Sequence, residues 1–278
     1  GLRACGTYAP LPIEGLGVEK DREEQGYGCG EWAHVGAVVS AKMRCVAHVL
    51  LVHPGLAKVH GNGQVGYLGS MSTLASVFGD LLHAHGVPNK RVDQSWQEIV
   101  TAHGGAGRYY HTLHHLEDLY AQLSEVRPAL QEPDAVLLAI IYHDFVYSVT
   151  RKDNEESSAG VMRDRMSKSG LPVPLLERTA KHILATAQHT ASNDPDTDHF
   201  TDADLSILGS SPERYQLYAQ QVRLEYRRFP DFLYKPGRRK VLAHFLAMPR
   251  IFKTSHFYAR YEQQARFNLN AELGGTST

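Results

Sequence analysis

Cysteine is scarce and confined to one end. Of 278 residues only Cys5, Cys29 and Cys45 are cysteines, and none has a neighbour at the short paired spacing of a zinc site. After Met71 there is no thiol at all, which is compatible with a reducing compartment, so a cytoplasmic location is the expectation. Also missing is any run of about 18 uncharged apolar residues. The most apolar early stretch, residues 35–59, is interrupted by Lys42, Arg44, His48, His53 and Lys58, so no membrane span is expected. The first residues lack the basic-then-apolar order of a secretory signal. Neither charge sign dominates: 29 Lys and Arg stand against 30 Asp and Glu, which argues against a generally basic surface for nucleic acid. There is no Gly-x-Ser-x-Gly turn and no Gly-rich phosphate loop, which removes two common routes to nucleophilic and nucleotide chemistry. Convincing strand alternation and repeats of fixed period are absent as well.

What remains is helical. With 42% hydrophobic and 21% charged residues, the chain can bury a substantial core. The first 70 residues carry scattered glycines, the mixed-charge run Glu19 to Glu24 and no long apolar stripe. They are expected to form a flexible extension or a non-native leader, with the domain spanning 71–278. From Met71 the periodicity predicts an all-α fold. Ser72 can cap a helix carrying Leu74, Val77, Phe78, Leu81 and Leu82, ended by Gly86 and Pro88. Helices are predicted next from Val92 to Ala102, along Leu113 to Val126, and from Pro133-Asp134 through a segment apolar nearly all round and therefore central. A fifth is capped at Asp153 or Asn154 and ends at Gly170, and a sixth follows Pro172 and ends at His189. The polar segment His189 to Thr201 is expected to be a loop, with Asp202 capping a short helix after it. Three more helices are predicted, from Ser211-Pro212 to Arg228, from Arg238 to Ala247 and from Thr254 to Leu273.

Three separated segments place imidazoles and carboxylates on this scaffold. They are Arg108-Tyr-Tyr-His111-Thr-Leu-His114-His115-Leu, the dipeptide His143-Asp144 within the apolar run 135–147, and Asp202-Ala-Asp204-Leu-Ser-Ile-Leu-Gly209. An ionised carboxylate buried without a partner costs several kcal/mol, so a cation or donors must lie beside Asp144. A metal site assembled from several helices has this signature. On a helix, His143 and Asp144 diverge by about 100°, so both reach one ion only if it lies close to the helix wall. Asp202 and Asp204 are about 200° apart, so one of them points inward.

Arg108 to Leu116, Tyr142-His-Asp-Phe-Val-Tyr147, Asp153-Asn-Glu-Glu-Ser-Ser-Ala159, Asp202 to Gly209 and Ala265-Arg-Phe-Asn-Leu269, in this order, resemble the HD superfamily of metal-dependent phosphohydrolases. The closer likeness is to a bacterial-type subgroup of predicted HD phosphohydrolases, over about residues 71–278. The resemblance implies an HD-like helical bundle and a divalent metal ion. It implies His115 as first ligand, because its apolar Leu119 stands four residues on, followed by His143 and Asp144. Asp204 matches the fourth position by its spacing to Leu208 and Gly209, leaving Asp202 as cap or outer partner. Such a nitrogen and oxygen set without sulfur suits Mn, Fe, Mg, Ni or Zn.

Supporting roles fall to residues that also have plainer readings. His111, one helical turn before His115, can protonate a leaving group or bind phosphate, or can be a hydrogen-bonded histidine at a helix start. The resemblance also places a histidine at His189, and His182 can share its face as ligand of a second ion. Glu155 can act as general base, or be ordinary helix-start chemistry. Arg108 and Lys152 edge the expected cleft as phosphate contacts. Arg223 and Arg238 are expected to be solvated, His114 to lie outside the ligand set, and Tyr215, Tyr218, Tyr226, Phe229, Phe232 and Tyr234 to pack rather than stack a base. The expected function is metal-dependent hydrolysis of a phosphoester of a small metabolite, nucleotides included. The alternatives are a non-catalytic nucleotide-binding module and a di-metal oxygenase that adds His111, His182 and His189 to the ligands.

Overall fold

Proline at the first turn and an unbroken apolar stretch set the centre of the molecule. Pro133 opens a helix, Pro133–Tyr142, in which every residue from Ala135 to Tyr142 is buried. A helix buried on all sides must have neighbours on all sides. The computed structural model describes residues 73–275, which form α1 (Thr73–Ala84), α2 (Asn89–His103), α3 (Leu113–Glu125), α4 (Pro133–Tyr142), α5 (Asn154–Lys168), α6 (Val173–Ala185), α7 (Pro195–Leu205), α8 (Pro212–Glu225), α9 (Asp231–Ala247) and α10 (Ser255–Gly274). Short 3-10 turns occupy Arg127–Ala129 and Ser206–Gly209. The described residues contain no strand, and the fold is all-α as the periodicity predicts. Around α4 lie α1, α3, α5, α6 and α7, while α10 packs on α9 and on the Ser206–Gly209 turn. Fully burying each large apolar side chain of α4 contributes about 1.5–3 kcal/mol.

The expectations for residues 1–70, and the cap at Ser72, lie outside the described residues. Three helix ends differ most from the periodicity reading. α7 begins at Pro195, inside the segment expected to be a loop, because Asp194 caps it by accepting the Asp196 N–H at 3.0 Å and Pro195 fits the first turn. Asp202 is thus inside α7 and does not cap it. α9 begins at Asp231, seven residues early, and carries Pro236 within it. The carbonyl that Pro236 leaves without its helical donor belongs to Phe232, in the first turn and 74% exposed. α6 stops at Ala185, so His189 stands beyond the helix, in left-handed backbone at φ 54°.

The Ser206–Gly209 turn is clamped by α10. Asn268 Nδ2 donates to the carbonyls of Leu208 (2.8 Å) and Ser210 (2.9 Å). A Cβ on Gly209 would lie 2.6 Å from both the Cβ and the carbonyl oxygen of Tyr261, closer than real contacts allow. Gly209→Ala is expected to cost about 1–3 kcal/mol, read as a lower urea midpoint. An unchanged midpoint would mean that α10 can move away at little cost.

Candidate metal centre

Two of the candidate ligand segments leave helices at their C-terminal ends, and the third enters one. α4 ends at Tyr142; His143 caps it with helical backbone, and Asp144 lies in the turn that follows. The dipeptide is therefore not inside a helix as expected, and the turn removes the need for an ion pressed against a helix wall. His143 Nδ1 lies 3.0 Å from the Ile140 carbonyl, to which it can only donate, so in the neutral ring Nε2 is the atom left to ligate. His115 enters from the first turn of α3, and Asp204 from the last turn of α7.

These side chains converge. His115 Nε2 is 3.2 Å from His143 Nε2 and 3.3 Å from Asp204 Oδ1, and His143 Nε2 is 3.7 Å from the same oxygen. Asp144 Oδ2 lies 3.0 Å from His143 Nε2 and 3.8 Å from His115 Nε2. Ligand atoms bound at about 2.0–2.2 Å in neighbouring positions stand about 3.0–3.5 Å apart. The closest separations here have that size, and the buried His115, His143 and Asp204 group can hold a metal ion. Burial holds the His115 imidazole below its ordinary value, against the opposing pull of Asp204, which favours the neutral, ligating form.

Asp202 faces elsewhere. It accepts the backbone N–H groups of Lys253 (2.9 Å) and Thr254 (2.7 Å) and pairs with Lys253 Nζ at 2.9 Å, which fastens the start of α10. Of the two aspartates, Asp204 is the one at the centre. Its second oxygen, Oδ2, lies 2.8 Å from His189 Nε2, so His189 touches the centre through Asp204. Lys253 Nζ also donates to the His189 carbonyl at 3.3 Å and braces its left-handed backbone.

His111 lies in the turn before α3, not a full helical turn below His115 as expected. Its Nε2 is 3.8 Å from Asp144 Oδ2, and its Nδ1 is 2.8 Å from Oε2 of Glu225, the last residue of α8. Sequence reasoning missed Glu225. This buried carboxylate also accepts the backbone N–H groups of Tyr109 (2.8 Å), Tyr110 (2.8 Å) and His111 (3.3 Å) on Oε1, and the Tyr147 hydroxyl on Oε2 at 2.5 Å. Burial works to raise Glu225, but the His111 ring and these donors outweigh it and hold the carboxyl below the usual range. No local motif marks such a residue: a Glu at a helix end looks solvated. His103, at the end of α2, was missed too. It is buried against the Ile99 carbonyl, and burial pulls it down to about 3.

Other candidates are not in the group that can hold an ion. His182 Nδ1 lies 2.7 Å from Thr197 Oγ1, in surroundings set by Asp194, Arg178 and Asp196. Glu155 is buried in the first turn of α5, near enough to Tyr226 to influence it. Arg108 donates to the carbonyls of His111 (2.8 Å) and Phe145 (2.9 Å), tying the two ligand loops together, and Lys152 is exposed. Arg223 and Arg238 are not the solvated cations expected. Arg223 pairs with Asp231, and Arg238 is buried against Glu272 and two tyrosines, because each finds an acid on a neighbouring element. His114 lies outside the cluster beside Glu117 and Asp118, as expected. Tyr215, Tyr218, Tyr226 and Tyr234 are buried in packing, but Phe232 is largely exposed.

A cleft of about 430 Å³ is lined by none of the clustered residues and meets them through Tyr110. Tyr110 forms one wall of it, and the same ring lies 4.2 Å from the His115 ring. Ser206, Ser210, Ser211, Arg214 and Arg260 line the rest, with Arg214 paired to Asp118 and Arg260 to Glu125. Compared with known proteins, the chain matches no family model, no curated protein and no solved structure. Among the described residues no helix is long and apolar enough to cross a membrane.

Asp202 and Asp204 separate by experiment. Asp202→Ala is expected to lower stability by about 3 kcal/mol and to leave metal content unchanged, whereas Asp204→Asn loses the ion with little loss of stability. Elemental analysis beside urea denaturation checks both, and the reverse pattern would exchange their roles.

Acid sensitivity is expected at His182, which burial pulls down to about 4. Unfolded histidine titrates near about 6.5, so the neutral buried form contributes stability that is present above that pH and is lost as pH falls toward 4. The denaturation midpoint should drop across this window, and His182→Gln should make the drop shallower. An identical slope in the variant would place the acid sensitivity elsewhere.

Proposed function

We propose that this chain is an HD-type metal-dependent phosphohydrolase that cleaves a phosphoester of a small metabolite. The observation that carries the reading is the mutual approach of His115, His143 and Asp204, with Asp144 beside the two histidines, in the chain order His, His-Asp, Asp of the superfamily it resembles. A divalent ion held there, whether Mn, Fe, Mg, Ni or Zn, would lower the pKa of a water and polarise a phosphoryl oxygen. Hydrolysis moves the phosphoryl group from the ester oxygen to the water oxygen, and the departing alcohol takes up a proton.

The chain's own residues have the remaining tasks. His143 and Asp204 are held in place by the Ile140 carbonyl and by His189, so their ligating atoms do not have to be ordered when substrate arrives. His111, fixed by Glu225 beside Asp144, stands where it can exchange a proton with the leaving group or the attacking water. The cleft next to Tyr110 has the volume of a small-metabolite site. In this reading the organic part of the substrate lodges there. Arg214 and Arg260, which line it, are the groups that can meet phosphate there, in place of Arg108 and Lys152, which do not line it.

Asp144→Asn keeps the shape of the side chain and removes its charge. Metal content and phosphoesterase activity should fall together, measured by elemental analysis and by a screen of nucleotides and sugar phosphates, while the metal-free fold survives because repulsion between the two central carboxylates is relieved. Full hydrolysis by the purified variant would show that the active site lies elsewhere.

A further inference from the structure

We propose that Glu225 is a positioning residue that fixes the tautomer and the aim of His111. The inference rests on the functional reading above only for what His111 then does. The geometry is specific. Glu225 Oε1 is taken by the backbone N–H groups of Tyr109, Tyr110 and His111, at 2.8, 2.8 and 3.3 Å. Oε2 is left to face His111 Nδ1 at 2.8 Å and the Tyr147 hydroxyl at 2.5 Å. A carboxylate only accepts, so the His111 proton is held on Nδ1. Nε2, buried and without a hydrogen-bond partner, is then aimed at Asp144, 3.8 Å away. The Tyr147 ring, stacked on the imidazole with centroids 4.0 Å apart, prevents it from rotating out of this plane. One carboxylate at the end of α8 therefore sets both the backbone course of the 109–111 turn and the direction in which its histidine can accept a proton.

The test is Glu225→Gln. Three backbone N–H groups still need an acceptor, so the amide oxygen stays on them and the amide NH₂ turns toward His111. Two N–H groups cannot face each other, and the His111 proton must move to Nε2. In the full-length protein, ¹⁵N resonances of the His111 ring at one fixed pH should show the Nδ1–H form in the wild type and the Nε2–H form in the variant. Metal content should be equal in the two. On a phosphoester the wild type hydrolyses, kcat should fall about 10–100-fold with KM unchanged, and adding Glu225→Gln to His111→Ala should cause no further loss. A wild-type proton on Nε2 overturns the proposal even if the variant does not fold. So does an unchanged tautomer in a folded variant, or a loss that adds in full to that of His111→Ala. If the tautomer switches as stated but the wild type hydrolyses no phosphoester, the positioning of His111 stands and the phosphohydrolase reading falls.

Discussion

An ionised carboxylate buried without donors or a cation beside it costs several kcal/mol, and the arrangement around the centre follows from how this chain meets that constraint. Asp196 accepts the backbone N–H groups of Gln131 and Glu132, and Asp202 those of Lys253 and Thr254. Glu225 accepts three from the 109–111 turn, and Glu262 those of Ile251 and Phe252. Each of these segments runs just before or into a helix start, where backbone N–H groups lack helical acceptors. One class of contact thus satisfies two deficits at once: the buried charge finds donors, and the helix entrance finds an acceptor.

Three of these contacts fix the ligand-bearing elements in space. α7 is held through Asp196 to the entrance of α4 and through Asp202 to the entrance of α10, which leaves Asp204, between the second contact and the helix end, facing the centre. Glu225 fixes the turn that leads into α3 and His115. Arg108 then joins that turn to the backbone just after Asp144. Asp144 and Asp204 differ from the stapled acids in what they approach: the Nε2 atoms of His115 and His143. A centre built this way changes little when one loop moves, because its ligands are braced from elements distant in sequence.

Much of this was legible in the chain, for physical reasons that also mark where legibility stops. α4 was placed centrally because eight consecutive apolar residues have no solvated face to offer, and α3 and α10 followed from apolar residues at helical spacing. The three ligand segments stood out because imidazole and carboxylate groups are unusual in such surroundings. α7 was hidden by the same logic. Five of its eight buried residues, Asp196, Thr197, Thr201, Asp202 and Asp204, are polar, and the apolar Phe200, Ala203 and Leu205 are too few and too close to its end to show a helical period, so a search for apolar periodicity returns a loop. Glu225 was hidden because its donors are backbone groups more than a hundred residues away, and a backbone N–H leaves no signature in the side-chain sequence. The buried pairing of Arg238 with Glu272 was missed for a related reason: both residues read as surface charge until α9 and α10 are laid side by side.

The helix ends themselves bias the centre toward a cation. α4 stops one residue before His143, and α7 stops one residue after Asp204, so the carbonyl-rich ends of two helices lie next to ligating side chains. Each such end carries the equivalent of about half a negative charge, which favours positive charge within the last turn. The entrance of α3 beside His115 has the opposite sign, but it is one end against two, and two carboxylates add to the negative side. A protonated imidazole could in principle answer this field. Burial opposes that solution at His115, whose pKa is lowered. A neutral His115 with two carboxylates and two negative helix ends leaves an excess of negative charge for the site to balance, and the spacing of the His115, His143 and Asp204 donor atoms lets a metal ion do so.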